Sequence, residues 1–127
     1  MSKRILVIDD DESVRKAFVL ALEDTGYQVD TAESGEKGLE MAKNTDYALF
    51  FLDLHMPGIN CVEVLRELRK MDEKVPIYIV TAFYKMFFEE LAKAGEEGIN
   101  FDVVRKPKGG DQIVMVAKGA LEGPMKY

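Results

Sequence analysis

"YALFFL", residues 47–52, restricts the fold more than any other stretch of the chain. It is apolar on both faces that a strand would present. Such a run belongs inside a parallel sheet with helices covering either side. "RILVI" (4–8) and "PIYIV" (76–80) are also short apolar runs, rich in branched residues. "YQVDTA" (27–32) alternates like a strand, and "FDVVR" (101–105) reads as a fifth.

The segments between these runs carry apolar residues at helical spacing. Val14, Ala17, Phe18, Ala21 and Leu22 share one face. Glu12 and Ser13 stand where its N-cap is wanted, and Gly26 where the helix stops. Ser34 can cap a second helix running to about Lys43, with Gly35, Gly38, Leu39 and Ala42 on one side. Its two glycines weaken it. Cys61, Val64, Leu65 and Leu68 mark a third helix, and Phe88, Leu91, Ala92 and Gly95 a fourth. Ile113, Val116, Ala117, Ala120 and Leu121 form the stripe of a fifth. A βα unit repeated five times implies an α/β fold, a parallel sheet with helices on both faces. Right-handed crossovers then favour the doubly wound, flavodoxin-like (βα)5 sandwich with strand order 2-1-3-4-5. Sites in such sheets lie beyond the carboxyl ends of the strands where the order reverses, here between strands 1 and 3.

Residues 1–127 suit one domain with a core over about 4–122, which leaves no segment for an effector domain. The net charge of −6 argues against direct nucleic-acid binding, which needs a basic face. No apolar run nears the roughly 20 residues that span a bilayer, and the apolar stretch after Lys3 and Arg4 is too short for a signal peptide. The expectation is no membrane insertion and a cytoplasmic location. The one cysteine, Cys61, excludes an internal disulfide framework and reads as a small core residue.

The residues just past each strand carry the chemistry. Asp9 and Asp10 come after the first, Asp53 after the third, Thr81 after the fourth, and Lys106 with Pro107 after the fifth. Strands 1 and 3 are expected neighbours, so three carboxylates meet at the switch point, flanked by Thr81 and Lys106. Carboxylates held together repel strongly, and a divalent cation removes the conflict. Oxygen ligands with water suit Mg2+, for which Mn2+ can substitute. A cation beside Asp53 makes that carboxylate a candidate nucleophile towards a phosphoryl group. Taken singly each residue has a plainer reading: "DDD" as a solvated helix-capping turn, Asp53 as a cap, Thr81 as a strand end, Lys106 as a surface charge. His55, the only histidine, reads as a loop residue whose backbone carbonyl faces the site.

"ILVIDDDESVRK", "LDLHMPG", "IVTA" and "RKP" together resemble the signature of response-regulator receiver domains of two-component systems, over nearly the whole chain. The resemblance implies that Asp53 is the phosphoacceptor. Asp10, Asp53 and the His55 carbonyl would bind Mg2+ directly, and Asp9 through water. Thr81 would hydrogen-bond the phosphoryl group, Lys106 would pair with it, and the bond before Pro107 would be cis. The donor would be a phosphohistidine of a sensor histidine kinase or a histidine phosphotransfer protein. A downstream partner would read the surface of helix 4, strand 5 and helix 5, from a monomer or weak dimer. Self-phosphorylation and slow self-hydrolysis would be the only chemistry, with no turnover of an external substrate.

The chain departs from that pattern in four places, two of them "KGGDQ" after Pro107, where an aromatic is common, and Cys61, where many receivers have glycine. The position three before the lysine, aromatic in most receivers, is Val103, and Phe101 lies two residues earlier on the same strand face. "AGEEGINFDVVRKP" is about four residues longer than the usual spacing, which predicts an enlarged loop before strand 5. "AFYKMFF" (82–88) is a candidate partner patch, and Phe83 with His55 could shield a phosphoryl group from water. Three other readings stand beside this one. An aspartate-nucleophile phosphatase needs a second acid where His55 stands, an FMN binder would meet four acids after strand 1, and an adaptor would work without phosphorylation.

Overall fold

The computed structural model describes residues 3–53, 61–81, 88–105 and 110–122, with residues 88–91 and 105 described by their backbone. His55, Phe83, Lys106, Pro107 and most of the aromatic stretch lie outside the described residues.

Five parallel strands run β1 Arg4–Ile8, β2 Gln28–Ala32, β3 Leu49–Asp53, β4 Ile77–Thr81 and β5 Asp102–Arg105, in the order β2-β1-β3-β4-β5. The helices are α1 Glu12–Leu22, α2 Gly35–Asn44, α3 Cys61–Met71, α4 Phe88–Glu96 and α5 Gly110–Glu122. The expected flavodoxin-like strand order is the observed one. β3 is buried at all five positions, because its alternate residues feed two cores. Phe50 and Leu52 join Leu6, Ile8, Leu65 and Leu68 on the α2–α3 side. Leu49 and Phe51 join Phe18, Leu22, Ile113 and Ala117 on the α1–α5 side. The rings of Phe18 and Phe51 tilt against each other at 4.8 Å between centroids.

The helix signals place most elements within a residue or two. α1 starts two residues before its first apolar residue, Val14: Asp11, not Glu12 or Ser13, is the N-cap, accepting from the Ser13 amide. Ala17, expected on its inner face, is exposed. A short 3₁₀ turn, Glu23–Thr25, continues α1 to Gly26, whose φ of 86° only glycine takes readily. Ser34 caps α2 through the Lys37 amide, as expected. One glycine of α2 has a packing reason: a Cβ on Gly38 would lie 2.5 Å from Ile8 Cδ1, so the helix rides directly on β1. Cys61 opens α3 as a buried core residue.

In α4 the inner residue among those described is Ala94, fully buried, whereas Ala92 and Gly95 are exposed. Between α4 and β5 residues 97–101 form a loop that begins by closing the helix. The Ile99 amide donates to the Ala94 carbonyl and the Gly98 amide to the Gly95 carbonyl, with Gly98 at φ 82°. This is a Schellman cap. Two arginines of α3 hold the added turn: Arg66 donates twice to Glu97 (2.7 and 3.2 Å), and Arg69 donates to the Asn100 carbonyl at 2.8 Å.

Candidate functional site

The register of the sheet builds the site. Ile8 pairs with Leu52, so the next residues, Asp9 and Asp53, reach the same level at the ends of β1 and β3. Asp53 pairs with Val80 on its other side, which places Thr81 one step further along β4. Asp53 is the last residue of its strand, while α3 begins only at Cys61, so it is no cap of that helix.

Carboxylate oxygens of Asp9, Asp10 and Asp53 all lie within 4.8 Å of one another. Asp9 and Asp53 are 2 % and 5 % exposed, Thr81 is 3 %, and Asp10 faces solvent. Two like charges at that separation cost about 3 kcal/mol at an effective dielectric of about 20. A domain of this size is stable by only about 5–15 kcal/mol, so the cluster is a serious opposing term. The donor set consists of hard oxygens, two of them buried and one wet. It fits Mg2+ or Mn2+, which keep several waters and take one or two carboxylates.

The β1–α1 turn is tied at each step. The Asp9 amide donates to the Ala32 carbonyl at the end of β2 (3.1 Å). Asp9 Oδ1 accepts from the Asp11 amide (2.9 Å), and Asp11 Oδ1 from the Ser13 amide (2.8 Å). Arg15 Nη1 donates to the Asp9 carbonyl (2.7 Å). Sequence reasoning missed Arg15, because a guanidinium seeking one carbonyl leaves no periodic trace.

The missing aromatic is a real departure. Phe101 does share a face with Val103, and it packs into the α2–α3 core beside Ile99. Thr81 pairs with Arg105, four residues further along, so Phe101 sits roughly 13 Å below the level of Thr81. Val103 itself pairs with Ile79 and is 36 % exposed. Of the expected site residues, the structure brings Asp9, Asp10, Asp53 and Thr81 to one end of the sheet. Lys106 and the His55 carbonyl fall outside the described residues, as does the bond before Pro107.

Comparison with known proteins agrees with this architecture. The family model described as "Response regulator receiver domain" matches residues 5–118. The response regulator MprA of Mycobacterium ulcerans is 40 % identical over 82 residues, which are 65 % of this chain and 35 % of that protein. This chain thus spans about a third of the length of the curated relatives it matches. Among solved structures, a CheY-like receiver domain protein from Methanospirillum hungatei superposes with a TM-score of 0.84 at 24 % identity, covering 96 % of this chain and 95 % of its own. The response regulator TrrA of Thermotoga maritima, solved in complex with Mg(2+)-BeF, is 34 % identical with a TM-score of 0.78, covering 94 % of this chain and 99 % of its own. With the strand order, the acidic cluster and the family match in agreement, the chain belongs to the response regulator receiver domains of two-component systems.

Proposed function

We propose that this receiver is a switch charged by phosphorylation of Asp53. The observation that carries the reading is the mutual approach of three carboxylates within 4.8 Å, with Asp53 held at the end of a fully buried strand. An Asp53 oxygen attacks the phosphorus of a phosphohistidine. The new O–P bond forms as the P–N bond breaks, and the imidazole leaves with the electron pair and takes up a proton. The donor is a sensor histidine kinase or a histidine phosphotransfer protein.

Asp10 and Asp53 would hold Mg2+ with the His55 carbonyl, and Asp9 through water. The complex of the Thermotoga relative with Mg(2+)-BeF supports Mg2+ as the ion of such a site. When bound, the ion neutralises negative charge on the cluster and on the incoming phosphoryl oxygens. The buried Thr81 hydroxyl and the Lys106 ammonium receive that group once it has arrived. The added charge of about −2 at neutral pH biases the neighbouring loops between two arrangements. The output partner reads the α4–β5–α5 surface, where Val103 and Met115 are exposed. Among the described residues of β5 no aromatic ring stands at the level of Thr81. None of the helices in the described residues is long and apolar enough to cross a membrane, in keeping with a cytoplasmic protein.

The test is intact mass after incubation with Mg2+ and acetyl phosphate. The expected result is one added phosphoryl group on the wild type, dependent on Mg2+ and absent from Asp53→Ala. A wild type that folds yet takes up no phosphoryl group, and binds no beryllofluoride, overturns the proposal.

A further inference from the structure

We infer that Arg15 is a positioning residue for the cation site, acting through the backbone of Asp9; this rests on the reading of the acidic cluster as a Mg2+ site. Arg15 is the fourth residue of α1, near the helix end where the dipole disfavours a cation. A long, half-buried cation placed there needs a compensating contact, and the structure supplies one at 2.7 Å on the Asp9 carbonyl. The contact leaves the carboxylates alone. An arginine reaching Asp10 or Asp53 directly would compete with the ion for the same oxygens. Here the guanidinium holds the backbone of the turn through the Asp9 carbonyl.

The connection is closed at both ends. Asp9 is fastened to β2 by its amide, to Asp11 by its carboxylate and to Arg15 by its carbonyl. Arg15 in turn is fastened by its own amide to the Asp11 carbonyl, the first bond of α1. The guanidinium therefore locks the one residue from which both Asp9 and Asp10 are aimed. Outer partners of this kind fix the direction of metal ligands, and losing one typically costs about 10–100-fold in metal affinity.

Titration of the full chain with Mg2+ by calorimetry, on wild type, Arg15→Ala and Arg15→Lys, tests this. The expected result is a Kd about tenfold weaker for Arg15→Ala, with Arg15→Lys between the two. Phosphoryl uptake from acetyl phosphate by Arg15→Ala should recover at saturating Mg2+. A general loss of stability would not behave this way, and Ile113→Val, a mild lesion in the distant α1–α5 core, serves as the control whose Mg2+ Kd should not move. If Arg15→Ala fails to fold, Arg15→Gln carries the same comparison. A Kd within about twofold of wild type in these variants, well short of the loss such partners cause, overturns the inference while leaving the cation site standing. A wild type that binds no Mg2+ overturns both.

Discussion

At the amino end of the sheet several polar and charged side chains meet partners that suit them. The Tyr47 hydroxyl donates to Asp30 at 2.7 Å, and Arg4 reaches the same carboxylate at 3.6 Å. Tyr27 donates to Glu122, Lys3 to the Leu121 carbonyl, and Arg69 to the carbonyls of Val75, Asn100 and Asp72. At the carboxyl end carboxylate oxygens of Asp9, Asp10 and Asp53 lie within 4.8 Å of one another, and Asp9 and Asp53 are buried. The same sheet thus carries donor–acceptor pairs at one end and three close like charges at the other. Substitution of charged groups should have opposite signs at the two ends.

The largest contrast is at Asp53. Asp53→Asn should abolish phosphoryl uptake altogether, yet raise metal-free stability, since two close like-charge contacts, to Asp9 and Asp10, are relieved. Mg2+ should stabilise the wild type well, by about 2.7 kcal/mol at about 100 times its Kd, and the variant much less. Urea melts with and without Mg2+ read both effects. Equal or lower metal-free stability of the variant would break the comparison.

Arg69→Ala at the opposite end should do the reverse. It removes a partly buried cation from three carbonyls and should cost about 2–4 kcal/mol, with phosphoryl uptake unaffected well below the melting temperature. Gly38→Ala tests the boundary between the ends, because the new methyl meets Ile8 immediately before Asp9. Its expected cost is about 1–3 kcal/mol, and Ile8→Val in the same chain should recover part of it. Retained stability in Gly38→Ala would show that α2 can shift without disturbing β1.

The smallest effect concerns pH. Burial first, then the bond to Asp30, pushes the Tyr47 phenol up to about 12. Burial and Glu122 push Tyr27 up to about 12 as well. A phenol that holds its proton more tightly in the fold stabilises it fully below about pH 10, and the contribution fades as pH rises from about 10 through 12. Tyr47→Phe should cost about 1 kcal/mol at neutral pH and flatten that alkaline decline. An unchanged decline in Tyr47→Phe would assign it elsewhere.

Much of this molecule is legible without its structure. A strand apolar on both faces announces a covered parallel sheet, and an acid directly after such a strand announces its own position at the sheet's end. That is why Asp9, Asp10, Asp53 and Thr81 can be placed relative to one another from the sequence. Small residues carry less information: Ala92 and Ala94 look alike in sequence, and only packing assigns the inner face to Ala94. Three successive aspartates can each cap a helix, so the choice of Asp11 depends on the chain's path. The arginine contacts of α1 and α3 join residues by long flexible side chains, which leave no period to read. Alternation puts Phe101 on the correct face, but its distance from Thr81 depends on where β5 begins.

The Schellman turn at Gly98 bears on which changes of length the end of α4 can tolerate. Each residue removed from a helix rotates the rest of the chain by about 100°, so four residues return the face to within about 40° of its former direction. Ile99 and Phe101 pack inside, with Glu97 and the Asn100 carbonyl within reach of Arg66 and Arg69. Deleting two residues ahead of Gly98 should therefore turn both hydrophobic residues outward, whereas deleting four should be tolerated better.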